Sequence, residues 1–405
     1  KLFSLRWSPF ESMGKKIGFF DLLFAKNLQE VRSALSQMNA IMLNYVIADT
    51  DGNIGWQTIG KIPIRSQKDS TLPMVVRDSK DNWIGWIPWE EMPKKINPKD
   101  NWVGTCNHTT VTYDYPYYFS SHFSPSWRQR RLIELMESPG KKTAEDYWAF
   151  QRDTKNLLAE RILPIITDVL SLNLETKSLS EILSAWNFHD DTELIGPTVF
   201  QFVLREIFFQ TYQDELGADL ALALGNNYYF WQERLVSFME TGDSHWFDNI
   251  TTKQQKETLE DIILSAGISA KASLVKQLGN NSANWTWGKI HQKQYLSPIK
   301  SSGFGKDLVG GGTFPMPGSV ESLHRGYYYF DKPYDTTVTA ALRMVIDFGD
   351  ADKIMAVMPS GVSDRLLSPH RTDQIKSYLD GTPVYWWFSK EAIEANTQNT
   401  LVLNP

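Results

Sequence analysis

Cysteine is nearly absent from this sequence: its 405 residues contain one, Cys106. A single thiol cannot form an internal disulfide or a cysteine-based metal site. No apolar run is long enough to span a bilayer, and the first residues contain no apolar signal core. The net charge of −6 at pH 7 gives no electrostatic reason to expect nucleic acid as a partner.

Several familiar catalytic motifs are also missing. The seven histidines are scattered, and no two have the i, i+4 spacing of a helical zinc site. There is no Gly-x-Ser-x-Gly nucleophile elbow. A Gly-rich segment is not a phosphate-binding loop, because Asp307 follows Lys306 where Ser or Thr is required. We expect His370, which follows a Ser-Pro pair, to anchor a loop rather than act as a base.

What the sequence does contain is typical of a large globular α+β protein. It is 42% hydrophobic and 22% charged, with 15 Trp, 16 Tyr and 21 Phe. Aromatic side chains bury large areas and can build apolar pockets, although most of them belong to cores. The length allows one large domain or two ordinary domains.

The first 123 residues are mostly β-rich. Alternating apolar and polar residues predict a strand at Leu2–Trp7, and helical spacing predicts one helix over Phe19–Met38. Two β-rich runs within Met42–Arg65 flank Asp51-Gly52, which predicts a hairpin that turns at this pair. A further strand is expected over Asn101–Cys106.

Helical periodicity dominates from Ser124 to about Gly288, and strand-like segments return afterwards. We therefore divide the chain into 1–123, a first part of the core; 124–288, a helical insertion; and 289–405, strands and loops that complete the core. The predicted later strands are Ala341–Phe348 and Lys353–Met358, and a short helix is expected at Asp373–Leu379. The helices predicted within the insertion are Ser126–Met136, Ala144–Leu170, Leu179–Trp186, Thr198–Leu216, Phe230–Glu240 and Gln254–Leu278.

The stretch from Gly104 to Arg131 combines a polar turn with a basic helix. Asn107 follows the predicted strand, and Ser124-Pro125 can start a helix that carries Arg128. An amide dipole and a guanidinium could thus meet where an oxygen becomes negative during acyl transfer. The alternative is that Asn107 only closes a turn and the arginines coat a solvated helix.

Motifs along nearly the whole chain resemble those of the penicillin acylase family of N-terminal-nucleophile hydrolases. They follow the family's order from about residue 2 to about residue 390, and their joint occurrence is specific although each alone is weak. The segments that carry the resemblance are 45–56, 60–65, Gly85-Trp-Ile-Pro-Trp, Asn97-Pro98, Thr105-Cys-Asn-His, Tyr115-Pro116, Trp127-Arg-x-x-Arg-Leu-Ile, Trp287-Gly-x-x-His, Pro359-Ser-Gly and Ser368-Pro-His-x-x-Asp-Gln.

The resemblance implies a fold and a reaction. The fold would be the αββα sandwich of these hydrolases with a helical insertion, and its first part would be missing from this chain. The reaction would be hydrolysis of a linear amide, such as a penicillin or an N-acyl homoserine lactone, through an acyl-enzyme on an N-terminal Ser whose α-amine is the base. The family's oxyanion-donating Asn falls on Asn107, and its neighbouring Arg falls on Arg128.

The chain departs from the family pattern in several places. Lys1 is not an N-terminal nucleophile, so we expect the nucleophile and the small chain in the rest of the same precursor, and no amidase activity from the isolated 405 residues. Phe119 stands where some members have a calcium-ligating Asp, so no cofactor is expected. Leu43 and Phe19 fall near acyl-pocket positions, although core packing explains both equally well.

Two hypotheses about function follow. The first is an acylase of the penicillin or acyl-homoserine-lactone type, with a small-molecule amide as its substrate and a periplasmic or secreted location. The alternative is a catalytically silent relative that acts as a binding or structural protein. The sequence upstream of Lys1 distinguishes them, because a Gly-Ser, Gly-Cys or Gly-Thr junction would favour the acylase.

Overall fold

The computed structural model describes residues 3–13, 18–66, 72–297, 301–363 and 365–403, with Asp307 described by its backbone alone. The chain forms two compact units, residues 1–126 and 127–405. The predicted division into 1–123, 124–288 and 289–405 stays a prediction. Among the described helices, none combines the length and apolar character needed to cross a membrane.

The first unit contains short helices and two small antiparallel sheets. The helices are α1 (Ser8–Ser12), α2 (Phe19–Leu22) and α3 (Leu28–Leu35), and the strands are β1 (Asn44–Ala48), β2 (Ile54–Thr58), β3 (Pro63–Arg65), β4 (Trp83–Trp86) and β5 (Lys94–Ile96). One sheet has the strand order β1-β2-β5, and the other pairs β3 with β4.

The predicted hairpin is confirmed. Strands β1 and β2 pair antiparallel with Asn44 opposite Thr58. Within the turn, the Asp49 carboxylate accepts hydrogen bonds from the backbone N–H groups of Asp51 (3.1 Å) and Asn53 (2.9 Å). Gly52 has a φ of +85°, which a side chain would disfavour. The turn is therefore built by an aspartate that hydrogen-bonds its own loop and by a glycine in the left-handed region.

Two strand predictions in the first unit are wrong. Residues 3–7 have no regular secondary structure, and α1 begins at Ser8; Leu2 lies outside the described residues. A strand needs a neighbouring strand, which alternation alone cannot supply. The segment before Asn107 is also irregular rather than a strand. Its first residue, Asn101, has a φ of +57°, which lies outside the β region.

The helix predicted over Phe19–Met38 is two helices, α2 and α3. Asn27 ends the link between them, and its side chain accepts a hydrogen bond from the Glu30 backbone N–H at 2.9 Å. This N-cap satisfies a donor that would otherwise lack a partner at the start of α3. Helix α3 and the hairpin then bury one apolar cluster: Leu28, Leu35, Met38, Ile47 and Ile59.

The second unit begins with a long series of helices. Its major helices are α4 (Trp127–Glu137), α5 (Ala144–Phe150), α6 (Leu157–Ser171), α7 (Lys177–Ser184), α8 (Gly196–Gly225), α9 (Gln232–Thr241) and α10 (Leu259–Leu278), followed by the short α11 (Trp287–Ile290). Because α4 begins at Trp127, Ser124 and Pro125 precede the helix that they were expected to start.

Two long helices differ from their predicted form for local reasons. The helix predicted over Ala144–Leu170 is interrupted between α5 and α6, where the Asn156 side chain caps α6 by accepting from the Ala159 N–H at 3.0 Å. The helix predicted over Thr198–Leu216 continues to Gly225 as α8, with a break at Gly217, whose φ is +74°. Glycine permits this conformation, so the second half of α8 follows at a kink.

The remaining part of the second unit has two small antiparallel sheets, with order β10-β9-β8 in one and a β6-β7 pair in the other. Both later strands and the short helix were predicted in these places, with longer bounds. The elements are β6 (Gln292–Tyr295), α12 (Lys306–Val309), β7 (Gly312–Pro315), β8 (Arg343–Val345), β9 (Ile354–Val357), α13 (Ile375–Asp380), β10 (Val384–Trp386) and α14 (Lys390–Asn396).

A large aromatic and aliphatic core fills the helical part of this second unit. Residues of α6, α8, α9 and α10 are buried against one another and against residues 320–334. Phe208 lies at its centre, with ring centroids 4.7 Å from Trp231 and 5.2 Å from Phe330. Many of the aromatic residues are thus used for packing, whereas others, among them Phe20, Phe304 and Phe388, are exposed.

Candidate active site

Asn107 lies in an irregular loop of the first unit with its backbone in the left-handed region, at a φ of +65°. Asn107 is exposed, whereas the preceding Cys106 is buried. The Asn107 carbonyl accepts a hydrogen bond from the Ser124 N–H at 2.7 Å, and its N–H donates to Thr105 Oγ1 at 3.3 Å. Hydrogen bonds therefore hold both the N–H and the carbonyl group of the Asn107 main chain.

A left-handed asparagine fits both hypotheses about this residue. Asparagine tolerates positive φ better than most residues, so it can simply close a turn. Constrained left-handed residues are also frequent at functional sites, where the surrounding structure holds them. The backbone geometry alone does not separate the two roles.

Arg128 lies in the first turn of α4, in the second unit, and is half-buried. Its charge acts on two neighbours. The pKa of Arg325 is lowered, first by burial and then by the positive charge of Arg128. The pKa of Tyr229 is raised to about 12, chiefly by burial, and Arg128 opposes that increase. Arg128 therefore adds its positive charge to the surroundings of a second, buried arginine.

Helix α4 is held in place by the arginine one turn further on. The Arg131 guanidinium donates to both carboxylate oxygens of Asp153, from Nε at 2.9 Å and from Nη2 at 2.7 Å. This forked pair raises the pKa of Arg131. Arg130 is exposed, and its guanidinium lies 5.6 Å from the Trp127 ring centroid. The three arginines thus have different environments, and the sequence alone does not show which of them is anchored.

The two predicted acyl-pocket residues lie in the first unit and are only partly covered. Phe19 in α2 is 39% exposed, and Leu43, directly before β1, is 46% exposed. The Leu43 carbonyl accepts a hydrogen bond from the Ile59 N–H at 2.9 Å, which ties it to the hairpin. Neither side chain belongs to the buried clusters of the described residues. Whether these residues contact an acyl group or pack in a core stays a prediction.

Asn107 belongs to the first unit and Arg128 to the second. That they line one cleft stays a prediction, as do the roles of all four site residues. Phe119, at the position considered for calcium, stacks on Phe123 with ring centroids 6.2 Å apart and planes 7° apart. The His370 carbonyl accepts hydrogen bonds from the N–H groups of Val362 (2.9 Å) and Ser363 (3.1 Å). Its ring Nδ1 lies 2.9 Å from Asp373 Oδ2, and an anchoring role for this ring rather than a role as a base stays a prediction.

Sequence reasoning missed a group of buried polar residues in the second unit. His291 is fully buried; its Nδ1 donates to the Tyr334 carbonyl at 2.7 Å, and its ring stacks on Trp287 at 4.4 Å. Burial lowers the pKa of His291 to about 3. Glu321 is also buried, which raises its pKa, and it accepts from Ser319 Oγ at 2.9 Å. The only signal in the sequence was the Trp-Gly-x-x-His motif.

Comparison with known proteins identifies the family to which this chain belongs. A family model described as penicillin amidase matches residues 1–395. The acyl-homoserine lactone acylase QuiP of Pseudomonas aeruginosa is 26% identical over 419 residues, covering 93% of this chain and 48% of that protein. The penicillin acylase 2 proenzyme of Pseudomonas sp. (strain SE83) is 23% identical over 390 residues, covering 93% and 48%. The chain thus spans about half the length of the curated relatives it matches.

A solved structure shows the fold. The thermostable penicillin G acylase from Alcaligenes faecalis superposes with a TM-score of 0.67 at 17% identity, covering 96% of this chain and 72% of that chain. The mixed helix-and-sheet fold of the N-terminal-nucleophile hydrolases, predicted from the resemblance, is confirmed.

Proposed function

Because the chain belongs to the penicillin amidase family, we propose that the protein is an acylase that hydrolyses a linear amide of a small molecule. The substrate class is a penicillin or an N-acyl homoserine lactone. The observation that carries the proposal is the family match over residues 1–395 together with relatives named as acylases of these two kinds. No observation favours the catalytically silent alternative.

The proposed reaction proceeds in two steps. The hydroxyl oxygen of an N-terminal serine, outside the 405 residues, attacks the amide carbon while the α-amine of that serine takes the hydroxyl proton. The carbon–nitrogen bond breaks, the proton passes to the leaving nitrogen, and an ester-linked acyl-enzyme forms. Water then cleaves the ester and releases a carboxylic acid. Every group in this sequence belongs to protein, substrate or water, so the reaction requires no cofactor.

We assign the oxyanion donor to Asn107. During each step the carbonyl oxygen becomes negative, and a fixed N–H donor stabilises it more in the transition state than in the substrate. Two features support this role: the family's donor falls on Asn107, and the hydrogen bonds to Ser124 and Thr105 hold its backbone. A donor held in advance loses little conformational entropy when the charge develops.

We assign the positioning of this site to Arg128. The guanidinium cannot lose its proton in proteins and offers five donors in one plane, so it can hold several acceptors at once. Its electrostatic effect on Arg325 supports the role, since a positive charge added near a second cation favours acceptors or anions in the surroundings. Replacement by alanine is expected to reduce both activity and local order.

We assign contact with the acyl group to Phe19 and Leu43. Their partly exposed apolar side chains support this, because an apolar acyl chain or aromatic ring gains by covering them. We further propose that the remaining part of the same precursor, with the nucleophile and a small chain, completes the enzyme, as the name proenzyme of one relative suggests. A periplasmic or secreted location follows from family membership and is part of the proposal.

The full-length protein tests the function directly. Purified protein is incubated with penicillin G, with an N-acyl homoserine lactone and with the ester analogue of each, and the released amine and carboxylic acid are measured by mass spectrometry. We expect release of a carboxylic acid from at least one of the two amides. Absence of release from both, in protein whose precursor has been cleaved, would favour the silent relative.

A further inference from the structure

A pocket of about 400 Å³ lies in the second unit and shares no residue with the candidate site. Its walls are β6, the Gly311 turn before β7, the loop 360–363 and residues 371–372. Its volume falls within the range of small-molecule pockets. None of the residues assigned above to the acylase reaction lines it, so that reaction does not account for it.

The walls are joined by backbone hydrogen bonds rather than by side chains alone. The Ser360 carbonyl accepts a hydrogen bond from the Gln374 N–H at 2.9 Å, and the Gly311 N–H donates to the Tyr295 carbonyl at 2.7 Å. Gly361 lies so close to the main chain of His370 that an added Cβ would be 2.3 Å from the His370 carbonyl oxygen. The pocket is therefore preformed, and one of its walls requires a glycine.

Among the described lining residues, the charged side chains are all positive. Lys293 and Arg371 line the pocket, and its eleven described lining residues include no aspartate or glutamate. Hydroxyl groups of Ser360, Ser363 and Thr372 lie on the same walls. Two cations with several hydroxyl donors are the groups that bind carboxylate and phosphate oxygens.

Neither cation has all of its N–H donors engaged by the described residues. Arg371 has five N–H donors, and within the described residues its side chain makes one long hydrogen bond, from Nη1 to the Gly310 carbonyl at 3.5 Å. The Lys293 ammonium donates to the Thr337 carbonyl at 3.0 Å. Burial lowers the pKa of Lys293, so the charged ammonium lacks solvation that an anion would supply.

We propose that this pocket binds a small dianion through its carboxylate or phosphate oxygens, with Arg371 and Lys293 as the charged contacts. Arg371 offers a planar fork for two oxygens, and Lys293 provides a point charge from the β6 wall. The proposal does not depend on the acylase activity.

The experiment titrates the full-length protein by calorimetry at constant ionic strength. The probes are inorganic phosphate, succinate and succinamide, the neutral counterpart of succinate. The variants are Arg371→Gln and Lys293→Gln. Lys289→Gln is the matched control, since it removes an equal charge four residues before Lys293. Lys289 is exposed, and its ammonium donates to the Asn284 side chain. Circular dichroism confirms that each variant folds.

We expect saturable binding of phosphate, succinate or both, weakened at least about tenfold by Arg371→Gln and by Lys293→Gln, and unchanged by Lys289→Gln. Binding of phosphate alone identifies a phosphate-bearing ligand, and binding of succinate alone identifies a carboxylate. Succinamide is expected not to bind. The proposal is overturned by absence of saturable binding of either anion, by equal binding of succinamide, or by an equal loss in the control variant.

Discussion

Replacing Asn107 separates its two possible roles, because donor and backbone can be changed independently. Asn107→Ala removes the carboxamide and leaves, at a φ of +65°, a residue that tolerates the left-handed region less well than asparagine does. Loss of one side-chain oxyanion donor costs about 3 kcal/mol of barrier, which is a factor of roughly 10² in kcat. The left-handed backbone of an alanine costs about 1 kcal/mol of folding free energy. Both effects are expected in this variant.

Two further exchanges at the same position isolate the donor. Asn107→Gly also removes the carboxamide, but glycine accepts positive φ without strain, so kcat should fall as in the alanine variant while stability is nearly unchanged. Asn107→Asp keeps the shape and replaces the donor by an ionised acceptor, which should repel the oxyanion and lower kcat at least as much.

The control is Asn101→Ala in the same loop. Asn101 also has a positive φ, +57°, so its replacement should cost about the same stability and leave kcat unchanged. The assay is the initial rate of carboxylic acid release, with urea unfolding for stability. If Asn107→Gly retains wild-type kcat, Asn107 only closes a turn and the oxyanion assignment is wrong.

Two other predictions concern the second unit. Burial lowers the pKa of His291 to about 3. Above the unfolded pKa of about 6.5, the imidazole is neutral in both states and its protonation costs no stability. As the pH falls from there towards 3, only the unfolded state takes up the proton, so the free energy of unfolding drops by on the order of 5 kcal/mol. The neutral variant His291→Gln should show a shallower decline of unfolding free energy between pH 6.5 and 4, and an equal slope would contradict this. Arg131→Met leaves the largely buried Asp153 carboxylate without its fork and should cost about 3 kcal/mol by urea unfolding. Arg130→Met, at an exposed site, should cost under about 0.5 kcal/mol, and comparable losses would refute the difference.

Local chemistry in the sequence predicted some elements well. The Asp51-Gly52 pair predicted the hairpin because a left-handed glycine is needed there, and Gly52 has that conformation. The helix predicted over Thr198–Leu216 from periodicity ends next to the break at Gly217, although α8 continues to Gly225. The hairpin prediction rests on a backbone constraint that acts within a few residues.

Other features depended on partners distant in the sequence. Alternation at Leu2–Trp7 suggested a strand, but no strand pairs with residues 3–7 in the described structure. The link that divides α2 from α3 was readable in principle, since Asn27 and Glu30 have the spacing of a capping pair. The environment of His291 was not readable, because its burial depends on contacts with residues more than 40 positions away.

For the candidate site, the sequence supplied residue identities through family resemblance and the structure supplied part of their surroundings. The left-handed backbone of Asn107 and the forked pair that holds α4 were not deducible from spacing. Which arginine is anchored by a carboxylate likewise depended on where Asp153 lies. Side-chain environment, rather than residue type, was the missing information.

The central claim is that this protein forms a covalent acyl-enzyme on an N-terminal nucleophile. Full-length, processed protein is mixed with penicillin G or an N-acyl homoserine lactone, quenched in acid within milliseconds to seconds, and analysed by intact-mass and peptide mass spectrometry. The account predicts a transient mass increase equal to the acyl group on the N-terminal residue of the large chain, accumulating more slowly in Asn107→Gly. Carboxylic acid release without any such adduct, or an adduct on another residue, would contradict it.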